Sequence, residues 1–187
     1  MGLELKKGKP QELSERLPKE TRCYEFLENL GVEYYHVDHC DMPADTMDAC
    51  VAIDEALGCK ICKNLFLCNR QKTDFYLLMM PADKPFKTKD LTAQINSARL
   101  SFADSEAMLE YLNITPGAVS VLGLMNDKQN RVRLLVDKDI LSDEYIGCHP
   151  CVNTTSLKIK TTDIFDKVIN ATAHNKTIVE LPWYDIE

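Results

Sequence analysis

Two runs, Asn64 to Leu67 and Phe75 to Met80, flank the polar segment Asn69-Arg70-Gln71-Lys72-Thr73-Asp74, and together they restrict what this chain can fold into. Both runs are short, bounded by turn-forming residues and rich in aromatic and aliphatic side chains, which predicts a β-hairpin. Neither alternates apolar with polar residues, so both of its faces must be covered, as in the interior of a sheet with material packed on either side. A sheet so buried needs helices around it, and the rest of the chain offers them.

Apolar positions 23, 26, 27 and 30 after Pro18 predict a helix stopped by Gly31. Val32 to Val37 follows as a strand. Thr46 is a plausible N-cap for a second helix with Met47, Cys50, Val51 and Leu57 on one face and Gly58 at its end. Thr88 to Ile95 and Asp104 to Leu112 read as short amphipathic helices, the second capped by Asp104 or Ser105. Val119 to Leu122 and Val132 to Val136 flank a turn at Asn126-Asp127; a strand from Thr155 to Ile159, a helix from Thr162 to Ile169 and a last strand from Ile178 to Leu181 complete the chain. Helices and strands intersperse without the regular alternation of a doubly wound sheet, so the fold class is α/β, of mixed α+β type. The expectation is an arm over residues 1–17 and one domain over 18–187, with a central mixed, barrel-like sheet surrounded by helices.

At 187 residues, 45% hydrophobic and 27% charged, the chain suits one well-buried globular domain. No window approaches the roughly 18 apolar residues of a membrane span, and Met1 to Arg16 lacks the apolar core of a secretory signal. The expected location is the cytoplasm, with no membrane partner. A net charge of −7 argues against bulk electrostatic gripping of nucleic acid, DNA included. Contact with RNA would have to be local, and Lys60, Lys63, Arg70, Lys72, Lys84, Lys87, Lys89 and Arg99 concentrate the basic residues in one stretch.

Several short landmarks stand out in order: Lys63-Asn64-Leu65-Phe66-Leu67, Arg99-Leu100-Ser101-Phe102-Ala103, Thr115-Pro116-Gly117-Ala118-Val119, Leu122-Gly123-Leu124, Val136-Asp137-Lys138, and His149-Pro150 with Asn153. Each is weak alone, but in register they form a specific signal. With them the chain resembles the YbaK/prolyl-tRNA-editing family, free-standing deacylases related to the editing domain of bacterial prolyl-tRNA synthetase. Lys-Asn-Leu-Phe-Leu and His-Pro are similar to the subgroup acting on alanyl-tRNA(Pro) and to the proline-reductase-associated proteins of anaerobes; a sister group acts on cysteinyl-tRNA(Pro).

The resemblance implies hydrolysis, in trans, of the ester that joins a wrong amino acid to the terminal ribose of tRNA(Pro), with no metal and no cofactor. Mischarged tRNA is the implied partner, with prolyl-tRNA synthetase or translation factors beyond it. An aminoacyl ester is already activated, so orientation, oxyanion stabilisation and a positioned water suffice without a covalent nucleophile. Lys63 supplies a cation for a phosphate or a developing negative charge, Asn64 an amide that donates and accepts, and His149 an orienting group or general base. Lys63 and Asn64 share one site only where a strand begins, bends or bulges, because successive residues of a strand point to opposite faces. The resemblance further implies that the substrate's ribose hydroxyl helps activate water and that Gly117, Ala118, Val119, Ser120 and Val121, with Asn153, line the amino-acid pocket. The chain departs from the pattern at Val121, where related loops place a proline. A noncatalytic tRNA- or amino-acid-binding module on the same fold is the alternative reading.

Eight cysteines raise a rival. Cys59 and Cys62, and Cys148 and Cys151, form two CxxC pairs with the spacing that zinc ribbons use. Their separation far exceeds the usual ribbon interval of about 15–20 residues, so a redox pair or inert buried thiols are the expectation. Ser101 lacks a nucleophile-elbow context, which argues against a serine hydrolase.

Overall fold

A computed structural model describes residues 2–40 and 46–184. In chain order the strands are β1 (Lys6–Lys7), β2 (Tyr34–Asp38), β3 (Lys63–Asn69), β4 (Phe75–Met80), β5 (Leu100–Phe102), β6 (Val132–Asp137), β7 (Tyr145–Cys148), β8 (Thr155–Lys160) and β9 (Lys176–Val179). The helices are α1 (Pro18–Asn29), α2 (Met47–Leu57), α3 (Thr88–Gln94), α4 (Ser105–Leu112), α5 (Thr161–Asp163) and α6 (Ile169–Ala171), with a π-helical turn, Ile164–Val168, between the last two. None of the described helices is long and apolar enough to cross a membrane.

The mixed α+β class holds, but the expected single barrel-like sheet is replaced by two sheets that do not close. One is antiparallel, in the order β1-β2-β8-β7; the other is mixed, in the order β5-β3-β4-β6-β9, with β4, β6 and β9 parallel. In the second sheet β3 pairs with β4 over Lys63 to Cys68 and with β5 over Leu67 to Asn69 alone. The residues just before β3 reach β7 of the first sheet through an isolated parallel bridge between Ile61 and Gly147.

The predicted hairpin is β3–β4, and all six residues of β4 are buried. Its side chains divide by parity, as a strand requires. Phe75, Leu77 and Met79 enter the main core with Val132, Leu134 and Val136, whereas Tyr76, Leu78 and Met80 pack with Leu91, Leu100, Leu135 and Leu181. In α2 the Thr46 hydroxyl accepts from the Ala49 amide at 3.2 Å and Gly58 closes the helix at φ +64°, as expected. Its buried face is nevertheless Ala49, Ile53 and Leu57, packed near Val37, and Val51 is turned outward, 53% exposed. Asp104 caps α4 by accepting from the Ala107 amide.

Val121–Asn126 forms a 3₁₀ turn that begins within the apolar run Val119 to Leu122 and ends at the expected turn at Asn126-Asp127. Ser120 caps it, and Gly123 lets it seat against α4, since a Cβ there would stand 2.5 Å from Ile114 Cδ1. Residues of the predicted arm join the first sheet. Lys6 and Lys7 pair with β2, and the Arg16 guanidinium donates to both carboxylate oxygens of Asp38 at 2.8 and 2.7 Å and to Glu20 at 2.8 Å.

Candidate functional site

The Ile61–Gly147 bridge is the structural reason that two distant sequence segments meet. Cys62 donates its amide to the Gly147 carbonyl and Gly147 donates to the Lys60 carbonyl, both at 2.9 Å. Gly147 is required by proximity, not by backbone conformation: a Cβ would lie 2.8 Å from Ile61 Cα and 2.9 Å from Ile61 N. One residue beyond each end of this seam, the chain turns into a cleft of about 550 Å³, and Lys63, Asn64 and His149 all line it.

Lys63 and Asn64 are the first two residues of β3, opposite Met80 and Met79 of β4, and the cleft sits over this end of the strand so that both line it. The half-buried Lys63 ammonium donates to the Lys84 carbonyl at 3.0 Å, and burial lowers its pKa from the ordinary lysine value. The Asn64 amide nitrogen donates to the Cys62 carbonyl at 3.2 Å and lies 3.4 Å from its sulfur. Because a carbonyl can only accept, this contact fixes the amide's orientation. The Asn64 Oδ1 is left buried with no partner among the described residues. Buried acceptors are nearly always satisfied, so an orphan beside a cleft is an acceptor ready for a ligand donor.

His149 follows β7 and is buried. Its Nδ1 lies 3.2 Å from the Thr155 carbonyl and 3.3 Å from the Ser156 hydroxyl, which in turn lies 2.9 Å from His39 Nε2. The carbonyl accepts only, so Nδ1 carries the proton and Nε2 keeps its lone pair. Burial pushes the ring's pKa down to about 4, with the neighbouring His39 adding to the depression. At neutral pH this imidazole is an uncharged acceptor or base.

The predicted loop divides. Thr115-Pro116-Gly117-Ala118 makes a turn closed by the Ala118 amide on the Thr115 carbonyl, with Gly117 at φ +87° where a type II turn demands glycine. Gly117 and Val119 line the cleft. Ala118 and Asn153 line a neighbouring hollow of about 410 Å³ beside Arg16 and Glu20. Ser120 and Val121 are wholly buried, in the core side of the 3₁₀ turn.

Sequence reasoning missed one wall. Cys50, Val51 and Asp54 of α2 face the cleft, as do Ala82 and Asp83 of the turn after β4. Asp54 accepts from the Ile61 amide at 2.9 Å, tying α2 to the seam, and Asp83 accepts from Lys60 at 2.6 Å. An outward valine beside a cysteine in α2 was the available signal, hidden because both residues also fit a core face. The two CxxC pairs approach one another at the seam, where Cys62, Cys59 and Cys151 add to the burial that raises the Cys148 pKa. Cys151 lies 3.5 Å from Cys23, and among the described residues no group of three or more His, Cys, Asp or Glu is placed to hold a metal. Burial pushes the Cys62 thiol up to about 12 and Cys59 to about 11.

The family model for the aminoacyl-tRNA editing domain matches residues 41–167, more than half of the chain. The chain belongs to the aminoacyl-tRNA editing domain family. The resemblance seen in the landmarks is thereby borne out. Among relatives, the prolyl-tRNA editing protein ProX of Acetoanaerobium sticklandii is 30% identical over 83% of this chain and 93% of its own length. Prolyl-tRNA synthetase associated domain-containing protein 1 of Mus musculus is 31% identical over 63% of this chain and 70% of its own. A crystal structure provisionally assigned as a trans-editing enzyme for prolyl tRNA synthetase shares the fold, with a TM-score of 0.65, 16% identity, and coverage of 89% of this chain and 99% of that one.

Proposed function

We propose that this chain is a trans-acting aminoacyl-tRNA deacylase that hydrolyses the ester of mischarged tRNA(Pro), with alanyl-tRNA(Pro) as its preferred substrate. The observation that carries this reading is the convergence of Lys63, Asn64 and His149 on one cleft large enough for an amino acid and the terminal ribose together. In this mechanism the Lys63 ammonium meets the terminal phosphate or the oxyanion that develops as water adds to the ester carbonyl. The unpaired Asn64 Oδ1 accepts from a substrate donor, the α-ammonium or a ribose hydroxyl. The neutral His149 accepts a proton at Nε2, directly or through the ribose hydroxyl that orients the water.

The apolar lining from Val51, Ile61, Ala82 and Val119 suits a small, uncharged side chain. Rejection of proline then comes from steric exclusion, which discriminates more strongly than a missing methylene does. Kinship with the A. sticklandii protein, named for prolyl-tRNA editing, supports the tRNA(Pro) assignment. A cytoplasmic site of action and contact with prolyl-tRNA synthetase or translation factors follow from the same reading.

The test is hydrolysis of alanyl-, cysteinyl- and prolyl-tRNA(Pro) by the wild-type chain and by Lys63→Ala. Alanyl-tRNA(Pro) should be deacylated fastest, and Lys63→Ala should lose roughly a hundredfold or more with its circular dichroism unchanged. Full activity in Lys63→Ala would overturn the mechanism. Tight binding of tRNA(Pro) by the wild type without turnover would replace it with the noncatalytic binding module.

A further inference from the structure

Lys84 is a lysine with no exposed surface at all. Lysine is almost never fully buried unless it is paired. Its ammonium lies 2.8 Å from Asp137 Oδ2 and 2.8 Å from Asp139 Oδ2, and 5.1 Å from the centroid of the Trp183 ring. Each carboxylate is fixed in turn. Asp137, also without exposed surface, accepts from the Asp139 amide at 3.1 Å where the chain leaves β6, and Asp139 accepts from the Trp183 indole at 2.8 Å. The cluster lies outside the set of residues assigned to the chemistry above.

What it holds is the turn after β4. The Lys84 amide closes back on the Pro81 carbonyl at 3.3 Å, and Ala82 and Asp83 of that turn form part of the cleft wall. The Lys84 carbonyl is also the sole hydrogen-bond acceptor of the Lys63 ammonium among the described residues. Among the described residues no carboxylate forms an ion pair with Lys63, although Asp83 is near enough to favour its charged form; its direct hydrogen bond goes to one main-chain oxygen, and that oxygen belongs to the residue whose side chain is locked between two aspartates.

We propose that Lys84 is a positioning residue for Lys63, its buried pairing with Asp137 and Asp139 fixing the carbonyl that holds the Lys63 ammonium in the cleft. Well-packed apolar side chains could brace a turn at lower desolvation cost than a buried ion cluster. An ion pair adds direction, and direction is what placing a carbonyl opposite an ammonium needs. The inference rests on the reading of Lys63 as the cation of a deacylase.

The experiment uses the full chain. Because Lys84→Met alone strands a buried carboxylate, the principal variant is Lys84→Met with Asp137→Asn, and Lys84→Arg is the conservative partner. At a temperature where circular dichroism shows each variant folded, the double variant should lose roughly tenfold to a hundredfold in kcat on alanyl-tRNA(Pro), while Lys84→Arg stays within a few-fold of wild type. The same double change made in Lys63→Ala should bring no further loss, since the group being positioned is already gone. Acetylation of Lys63 by limiting acetic anhydride, read by peptide mass against Lys128, should rise several-fold in the double variant. An unchanged kcat with unchanged Lys63 acetylation in the folded variant overturns the proposal, as does a full multiplicative loss in the Lys63→Ala background. Should the double variant fail to fold, Lys84→Arg decides through its acetylation ratio: a wild-type ratio supports positioning by charge and a several-fold rise overturns it. Full activity in Lys63→Ala would instead sink the deacylase mechanism, while the acetylation ratio would still report whether Lys84 holds Lys63.

Discussion

Replacing Gly147 with alanine adds one methyl group at the seam that assembles the cleft. The new Cβ would meet Ile61 Cα at 2.8 Å and Ile61 Cγ1 and N at 2.9 Å. Carbon atoms rest at about 3.5–4.0 Å, so the two segments must part by roughly 0.7–1 Å. Two hydrogen bonds of 2.9 Å, Cys62 to Gly147 and Gly147 to Lys60, would stretch beyond useful length. Their loss costs about 1–3 kcal/mol together, and crowding a packed site adds about 1–3 kcal/mol. A destabilisation of roughly 2–6 kcal/mol follows, measurable as a fall in urea midpoint at constant m-value. The same displacement separates Lys63 and Asn64 from His149, and misplacement of about 1 Å is worth roughly a hundredfold in rate. Deacylation of alanyl-tRNA(Pro), assayed where the variant is still folded, should therefore fall by more than stability alone explains. A Gly147→Ala protein that melts like wild type, or that unfolds earlier yet keeps full kcat/KM when folded, would refute the argument that this bridge sets the cleft's geometry.

Two further outcomes can be checked directly. His149 titrates near 6.5 when unfolded and at about 4 in the fold. The fold favours the neutral ring, so this contribution is complete above pH 6.5 and is lost as pH falls toward 4, by at most about 3 kcal/mol. Urea unfolding across that window should show a steeper acid loss for wild type than for His149→Gln, and equal slopes would contradict the assignment. For the thiols, Cys40 is exposed while Cys62 and Cys148 are buried with raised pKa values. Iodoacetamide at about pH 8 should modify Cys40 in the folded chain and reach Cys62 and Cys148 only after denaturation; rapid modification of Cys62 would show that the seam opens readily.

The hairpin β3–β4 was legible because two continuous apolar stretches around a polar turn leave few alternatives, and parity then distributes their side chains between two cores. Capped helices were legible for a similar reason: Thr46, Gly58 and Asp104 act on their own neighbours. The run from Val121 was not, since a wholly buried apolar segment has no polar face to reveal its period. Division into two sheets depended on strand pairings between distant segments, a long-range fact. At the site, Lys63, Asn64 and His149 could be named because their residue types announce chemistry. The α2 wall could not be named, because Cys50 and Val51 look the same in a core as in a cleft. Nothing in the order of residues announced that the Lys84 carbonyl would receive Lys63.

The seam between Ile61 and Gly147 also governs when the protein becomes competent. The β3–β4 hairpin closes across a short turn and needs no distant partner, whereas the seam must bring together stretches about half the chain apart, and long loop closures come at greater entropic cost and slow the search. During synthesis Lys63 and its hairpin emerge before β7 and His149. The cleft lined by Lys63 and His149 therefore cannot assemble until β7 has emerged.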